Sequence, residues 1–193
     1  MEQFLTLQGE GAWTGASAWF IRLAGCDVGC HWCDVKESWE ASSDQHIPIE
    51  EMVKAAIESR TDRVVITGGE PAMHDLGMLT RLLREAGLKI HMETSGAHPF
   101  SGTFDWICLS PKKFKAPRPE YYELAHELKV VVFNDSDFEW AEQHASACKP
   151  DVQLFLQPEW SRHERMSEKI LAYIRENPRW RLSLQTHKYL GIR

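Results

Sequence analysis

The sequence has no apolar run long enough to span a bilayer, so a membrane-embedded chain is not expected. Its start, Met1-Glu2-Gln3-Phe4-Leu5, lacks the basic stretch and extended apolar core of a secretory signal. Positive charge is not in surplus: 22 Lys and Arg stand against 28 Asp and Glu, a formal net charge of −6, which argues against direct nucleic-acid binding. Internal repeats, low-complexity tracts and long linkers are also missing. What remains is an ordinary globular composition, 43% hydrophobic and 26% charged, in 193 residues. That length suits a single domain over 1–193 with a full core. Cysteine is scarce as well, with five in the chain, yet Cys26, Cys30 and Cys33 fall within one short stretch.

That stretch, Gly25-Cys26-Asp27-Val28-Gly29-Cys30-His31-Trp32-Cys33-Asp34, has C-x3-C-x2-C spacing. Three thiolates on one loop can converge on a single inorganic centre, and thiolates suit zinc and iron–sulfur clusters. A closed zinc site needs a fourth protein ligand. No fourth cysteine is near, and His31 sits between two of the cysteines where the loop gives it little freedom to point inward. Three ligands and one open position describe a [4Fe–4S] cluster with one iron free. Zinc or a disulfide is the competing reading. Oxidisable clustered thiols belong in a reducing cytoplasm. Cys108, in the run Trp106-Ile107-Cys108-Leu109, is expected in the core, and Cys148 is expected as an unpaired thiol at a helix end.

Along the chain, apolar runs alternate with helical periodicity. Strands are expected at 17–23, 63–67, 88–93, 106–109, 129–133 and 152–156, with a further extended piece at 180–184. Helices are expected at 48–57, 75–86 (closed by Gly87), 121–128, 137–147 and 165–176. Residues 3–11 read as a loop, because two glycines flank Glu10. Residues 42–46 read as a polar loop. The alternation predicts an α/β fold with a parallel sheet. About six parallel strands are too few for a closed eight-stranded barrel, so an open, partial TIM-type barrel is expected.

Nearly every polar motif follows the carboxyl end of a predicted strand, the edge where such folds build active sites. Thr67-Gly68-Gly69-Glu70-Pro71 follows the second strand. By itself it reads as a turn, but beside the cysteines its glycines would let backbone approach a ligand. Glu93-Thr94-Ser95-Gly96 and Ser110-Pro111-Lys112 could hold a ribose and a carboxylate, or serve as helix caps and a surface charge. Arg22 is unusual inside the apolar run 17–23. It is either an edge residue reaching solvent or a cation aimed at an anionic ligand. Of 129–135, only the end near Asn134 and Asp135 is a site candidate.

The cysteine spacing resembles that of the radical S-adenosylmethionine (SAM) enzymes, and the GGE within 67–71 resembles their second motif. Leu7-Gln8-Gly9-Glu10-Gly11, the cysteine loop with Asp34, Glu93-Thr94-Ser95-Gly96, Ser110-Pro111-Lys112 and the tail Leu184-Gln185-Thr186-His187-Lys188 occur in one order. Together they resemble the 7-carboxy-7-deazaguanine synthases over nearly the whole chain.

The resemblance implies a radical SAM core with a [4Fe–4S] cluster on Cys26, Cys30 and Cys33, in the cluster loop 24–35. It implies conversion of 6-carboxy-5,6,7,8-tetrahydropterin to 7-carboxy-7-deazaguanine by a 5′-deoxyadenosyl radical, with SAM regenerated, in the biosynthesis of queuosine, a transfer-RNA modification. Leu7, Gln8, Gly9 and Glu10 would contact the pterin, Arg22 its carboxylate, and Thr67 the substrate. The tail 184–193 would close the substrate site, with Arg193 contributing its main chain. Gly69, Glu93, Ser95, Ser110, Pro111, Lys112 and Asn134 would line the SAM pocket. A homodimer and a reductant such as flavodoxin or ferredoxin are implied as partners. Family members that bind Mg2+ place Ser or Thr two residues after the third cysteine. Here that residue is Val35, so either magnesium is held by substrate, water and Asp34, or this chain depends on the ion less. A glycyl-radical-enzyme activating protein shares the cysteine spacing, and a non-catalytic metal-binding protein is the alternative outside enzymology.

Overall fold

A computed structural model describes residues 2–42 and 46–193. Of the polar loop expected at 42–46, residues 43–45 lie outside the described residues. One sheet carries eight strands in chain order: β1 Glu2–Leu7, β2 Ser17–Leu23, β3 Arg63–Gly68, β4 Lys89–Thr94, β5 Trp106–Leu109, β6 Glu127–Val132, β7 Gln153–Pro158 and β8 Trp180–Leu182. Strands β2 to β8 pair in parallel, and β1 runs antiparallel to β2. Among the described residues β1 and β8 are free edges, so the barrel is open. Among the described residues six α-helices join the strands or follow them: α1 Ile49–Glu58, α2 Gly77–Glu85, α3 Glu120–Leu124, α4 Ser136–Ala147, α5 His163–Glu176 and α6 Thr186–Leu190. None is long and apolar enough to cross a membrane.

Strand periodicity sorts the side chains onto two faces. Ile21, Val64, Ile66, Ile90, Met92, Leu128, Val130, Val132, Leu154 and Leu156 join the buried core, packed with helix residues such as Ala56, Leu79, Leu83, Ala141 and Ile170. The alternate positions face inward. At the carboxyl end of the strands those positions are Arg22, Thr67, Glu93, Lys129 and Gln157, all lining one cavity. A parallel sheet covered on one face by helices and folded over on the other reads as continuous apolar runs. The polar residues interrupting those runs therefore mark the concave face.

Three expectations are corrected. Residues 3–11 are not all loop, because β1 occupies Glu2–Leu7. Phe4 turns inward and stacks on Phe20 at 5.5 Å, and the hairpin is closed by Gln8 N–H to Ala16 C=O and Gly15 N–H to Gln8 C=O, both 2.8 Å. The helix expected at 121–128 ends at Leu124, and β6 begins at Glu127 instead of 129. The apolar spacing of Tyr121, Ala125 and Leu128 mimics a helix. Ala125 is instead extended, and Leu128 pairs with Leu109 and Leu154. The parallel strands number seven rather than about six, since the extended piece at 180–184 pairs with β7 as β8.

Candidate active site

The cluster loop leaves β2 and is fixed at several points. Gly25 N–H donates to Ser38 C=O at 2.7 Å, Cys26 N–H to Trp39 C=O at 3.2 Å, and Cys33 N–H to Cys30 C=O at 3.0 Å. The His74 ring holds Ala24 C=O at 2.7 Å. On the β3 side, Gly69 N–H donates to Leu23 C=O at 3.0 Å and Glu70 N–H to Gly25 C=O at 2.8 Å. The two glycines make this contact possible. A Cβ on Gly68, whose φ is +142°, would lie 2.1 Å from Leu23 O, and one on Gly69 would lie 2.3 Å from Gly25 O and 2.8 Å from the Cys26 Cβ.

All three thiols line one cavity of about 290 Å³. Burial pushes the Cys30 thiol up to about 11 and raises the Cys26 thiol, so the loop holds protons that a cationic centre would displace. Among the described residues no group of three or more His, Cys, Asp and Glu is gathered closely enough to chelate one ion. The thiols face a shared space, which fits a polynuclear cluster. His31 packs its ring edge-on against Phe114 and Phe133, 5.4 and 5.5 Å away, and does not line the cavity with them.

Glu70 is buried and fastens two strand ends together. Its carboxylate accepts from Thr94 Oγ1 at 2.6 Å, Ser95 N–H at 2.8 Å, Ser95 Oγ at 2.5 Å and Ala72 N–H at 3.0 Å. Ser95 thereby reaches the cavity wall, as do Thr67, Gly69, Ser110 and Lys112. Lys112 folds back, donating to Ser110 C=O at 2.5 Å and to Ser110 Oγ at 2.7 Å, and burial lowers its ammonium from the usual lysine range. Pro111 and Asn134 line a second cavity of about 210 Å³, beside His31, Trp32 and Phe133.

The opposite wall carries Leu7, Gln8, Gly9, Glu10, Arg22 and Arg193. Arg22 Nε stands 2.9 Å from Glu2 Oε1, and its guanidinium lies over the Phe4 ring. Gly9 is flush against His187: an added Cβ would lie 2.2 Å from its Nδ1. The tail is tied in by Thr186 N–H to Gly9 C=O at 2.9 Å and by Thr6 Oγ1 to the Arg193 main-chain oxygen at 2.7 Å. Gln185 bridges Glu10 Oε1 at 3.0 Å and Asp34 Oδ2 at 3.2 Å, and Lys188 reaches the same Asp34 oxygen at 2.5 Å. Val35 also lines the cavity and offers no side-chain oxygen.

Two residues have roles that no local motif carries. Lys129 is buried and contacts Glu10 Oε2 at 2.6 Å and Glu93 Oε2 at 2.8 Å. Its signal was the same as that of Arg22, a base inside an apolar strand. Glu70 belongs to the GGE of 67–71, but nothing local foretold its four donors.

A sequence model described as the radical SAM superfamily matches residues 20–133. Curated relatives named 7-carboxy-7-deazaguanine synthase match across the whole chain. The protein from Synechocystis sp. is 54% identical over 192 residues, 100% of this chain and 92% of its own. That from Flavobacterium psychrophilum is 52% identical, covering 100% and 91%, and that from Escherichia coli K12 is 38% identical, covering 99% and 97%. The crystal structure of QueE from Escherichia coli superposes with a TM-score of 0.83 at 36% identity, over 96% of this chain and 92% of that one.

Proposed function

The chain belongs to the 7-carboxy-7-deazaguanine synthase family of the radical SAM superfamily, and from this premise we propose that it converts 6-carboxy-5,6,7,8-tetrahydropterin to 7-carboxy-7-deazaguanine in queuosine biosynthesis. The observation that carries this reading is the single cavity onto which the three thiols, the 7–10 loop, Arg22, Thr67 and the tail all open. Neither the glycyl-radical-enzyme activating protein nor the non-catalytic metal-binding protein finds support among the relatives. Substrate and product differ by ammonia alone, so no net oxidant is needed.

The cluster on Cys26, Cys30 and Cys33, together with SAM, supplies one-electron hydrogen-abstraction chemistry when bound. The residues supply position and the exclusion of water. Arg22 offers a planar fork for the substrate carboxylate, and the Glu2 carboxylate beside it orients that fork. Gln8 and Glu10 give a carbonyl and a carboxylate to the pterin edge. Gly69, Ser95, Ser110 and Lys112 stand on the SAM side; Glu93, expected with them, is read instead on the substrate side, because it shares Lys129 with Glu10 and accepts from Gln8. Pro111 and Asn134 are read as reaching the same cofactor from the second cavity. The tail 184–193 closes the substrate side, with Arg193 acting through its main chain. The residues present do not fit a protein-held Mg2+: Val35 lacks oxygen, and Asp34 is engaged by Lys188 and Gln185. We read residues 1–193 as one radical SAM domain working in a reducing cytoplasm, as a homodimer, with flavodoxin or ferredoxin as reductant.

Anaerobically reconstituted protein is expected to hold about four irons and four sulfides per chain, and to lose them when any of the three cysteines is replaced by alanine. With SAM and a reductant it is expected to release the deazaguanine from the carboxytetrahydropterin. One zinc without sulfide, or no product from fully loaded protein, would overturn the reading.

A further inference from the structure

We propose that Lys129 is a positioning residue for the substrate side of the site, holding Glu10 and Glu93 as a pair of ionised acceptors for the N–H-bearing edge of the pterin. The inference rests on the pterin being the substrate, as above. Leu128, Val130 and Val132 fill the core side of β6, and the strand alternation turns Lys129 to the cavity. A buried lone ammonium is costly, and Lys129 is compensated by carboxylates from two separate elements. Glu10 comes from the loop after β1 and Glu93 from β4. The other oxygen of each carboxylate receives an amide: Gln185 Nε2 to Glu10 Oε1 and Gln8 Nε2 to Glu93 Oε1, both 3.0 Å. Each carboxylate is thus held by two donors and keeps further lone pairs for a ligand in the cavity it lines.

Two carboxylates gathered in one buried site would share a proton without a cation between them. A protonated carboxyl offers a donor where the 2-amino and ring N–H groups of a pterin need acceptors. Other charged or titratable groups face the cluster: Glu127 on the same face of β6, Cys108 on β5, Lys112 after β5, and His187 on α6. Glu127 is otherwise engaged by Ala12 N–H at 3.0 Å and Trp106 Nε1 at 3.3 Å. Burial would raise the Glu10 carboxyl, but the Lys129 ammonium overrides it and holds the group at about 2. Burial would likewise lower Lys129, but the acidic groups around it keep it well above the usual lysine range.

The test uses reconstituted holoenzyme and 6-carboxy-5,6,7,8-tetrahydropterin. Lys129→Met is expected to raise KM and the equilibrium Kd for the pterin at least about tenfold, with kcat changed less than about threefold. Its acid limb of kcat/KM is expected to move up by at least about one pH unit, because Glu10 takes up a proton more readily without the ammonium. Lys129→Arg keeps the charge and is expected to retain the wild-type acid limb. A Met variant with wild-type KM, Kd and acid limb overturns the proposal. Met and Arg variants that fail equally also overturn it, since keeping the positive charge would then rescue nothing. Should Lys129→Met not fold, Glu93→Gln leaves Lys129 its Glu10 partner and is expected to weaken pterin binding at least about fivefold; unchanged binding overturns the proposal. A loaded wild-type enzyme that leaves the pterin untouched overturns the function itself, and this inference with it.

Discussion

A missing methyl group decides whether the cluster loop can sit where it does. Gly69 has an unstrained backbone, so only space constrains it: a Cβ would lie 2.3 Å from Gly25 O and 2.8 Å from the Cys26 Cβ. Gly69→Ala is expected to cost about 1–3 kcal/mol in denaturant unfolding, as overpacking does, and to lower the iron bound per chain. An alanine variant with full iron content and unchanged stability would show that the loop can step aside. Residue identity was legible where chemistry is rare. Three close cysteines, two adjacent glycines and an arginine in an apolar strand each stood out. Lys129 carries the same signal as Arg22, but the Val130-Val131-Val132 run that follows it reads as core. Only the fold shows that alternate positions of that run face a cavity.

At the scale of elements, the two ends of the chain complete the site together. β1 adds to the sheet edge, and the tail with α6 lies over the loop that follows it. The tail bonds Gly9, Glu10, Thr6 and Asp34, four residues far away in sequence. Deleting 191–193 removes the Arg193 main-chain oxygen held by Thr6 while leaving α6. That truncation is expected to raise KM for the pterin roughly fivefold or more, with stability changed by less than about 1 kcal/mol because the lost ion pair to Glu2 is exposed. Arg193→Ala keeps the main chain and is expected to leave KM within about twofold, since an exposed side-chain pair contributes little. Equal effects from the two variants would assign the role to the guanidinium. The strand–helix alternation itself was readable from periodicity. β1 was not, because its pairing partner and the Phe4–Phe20 stack that fix it lie beyond a local window. The boundary between α3 and β6 failed for a related reason: sheet pairing overrode a helix-like spacing.

The molecule as a whole has a polar upper layer and an aromatic lower one inside the same sheet. Below the cavity, Trp13 stacks over Arg63 at 4.2 Å and lies 5.2 Å from His91 and 5.6 Å from Trp106. His91 is 4% exposed and accepts from Arg63 Nε at 3.3 Å, so it must be neutral there. Burial, reinforced by the Arg63 charge, lowers it from 6.5 to about 4. The unfolded chain therefore takes up this proton first. Stability is full above about pH 6.5 and declines as pH falls toward 4, by a total on the order of 3 kcal/mol. Burial lowers His126 and His144 too, which adds to the same direction. Denaturant unfolding measured across that window is expected to show the decline, and His91→Gln, which can still accept from Arg63, is expected to flatten it. A wild-type profile in that variant would exclude His91 as the source. The sequence by itself determined the α/β class, the three closely spaced cysteines and the family, because those depend on periodicity and on rare residue types at fixed short spacings. The tertiary structure alone decided that Lys129 joins Glu10 to Glu93, that Glu70 clamps Ser95, and that the tail meets the first loop. Each of these is a contact between residues distant in the chain, made when parallel strands bring their carboxyl ends to one edge.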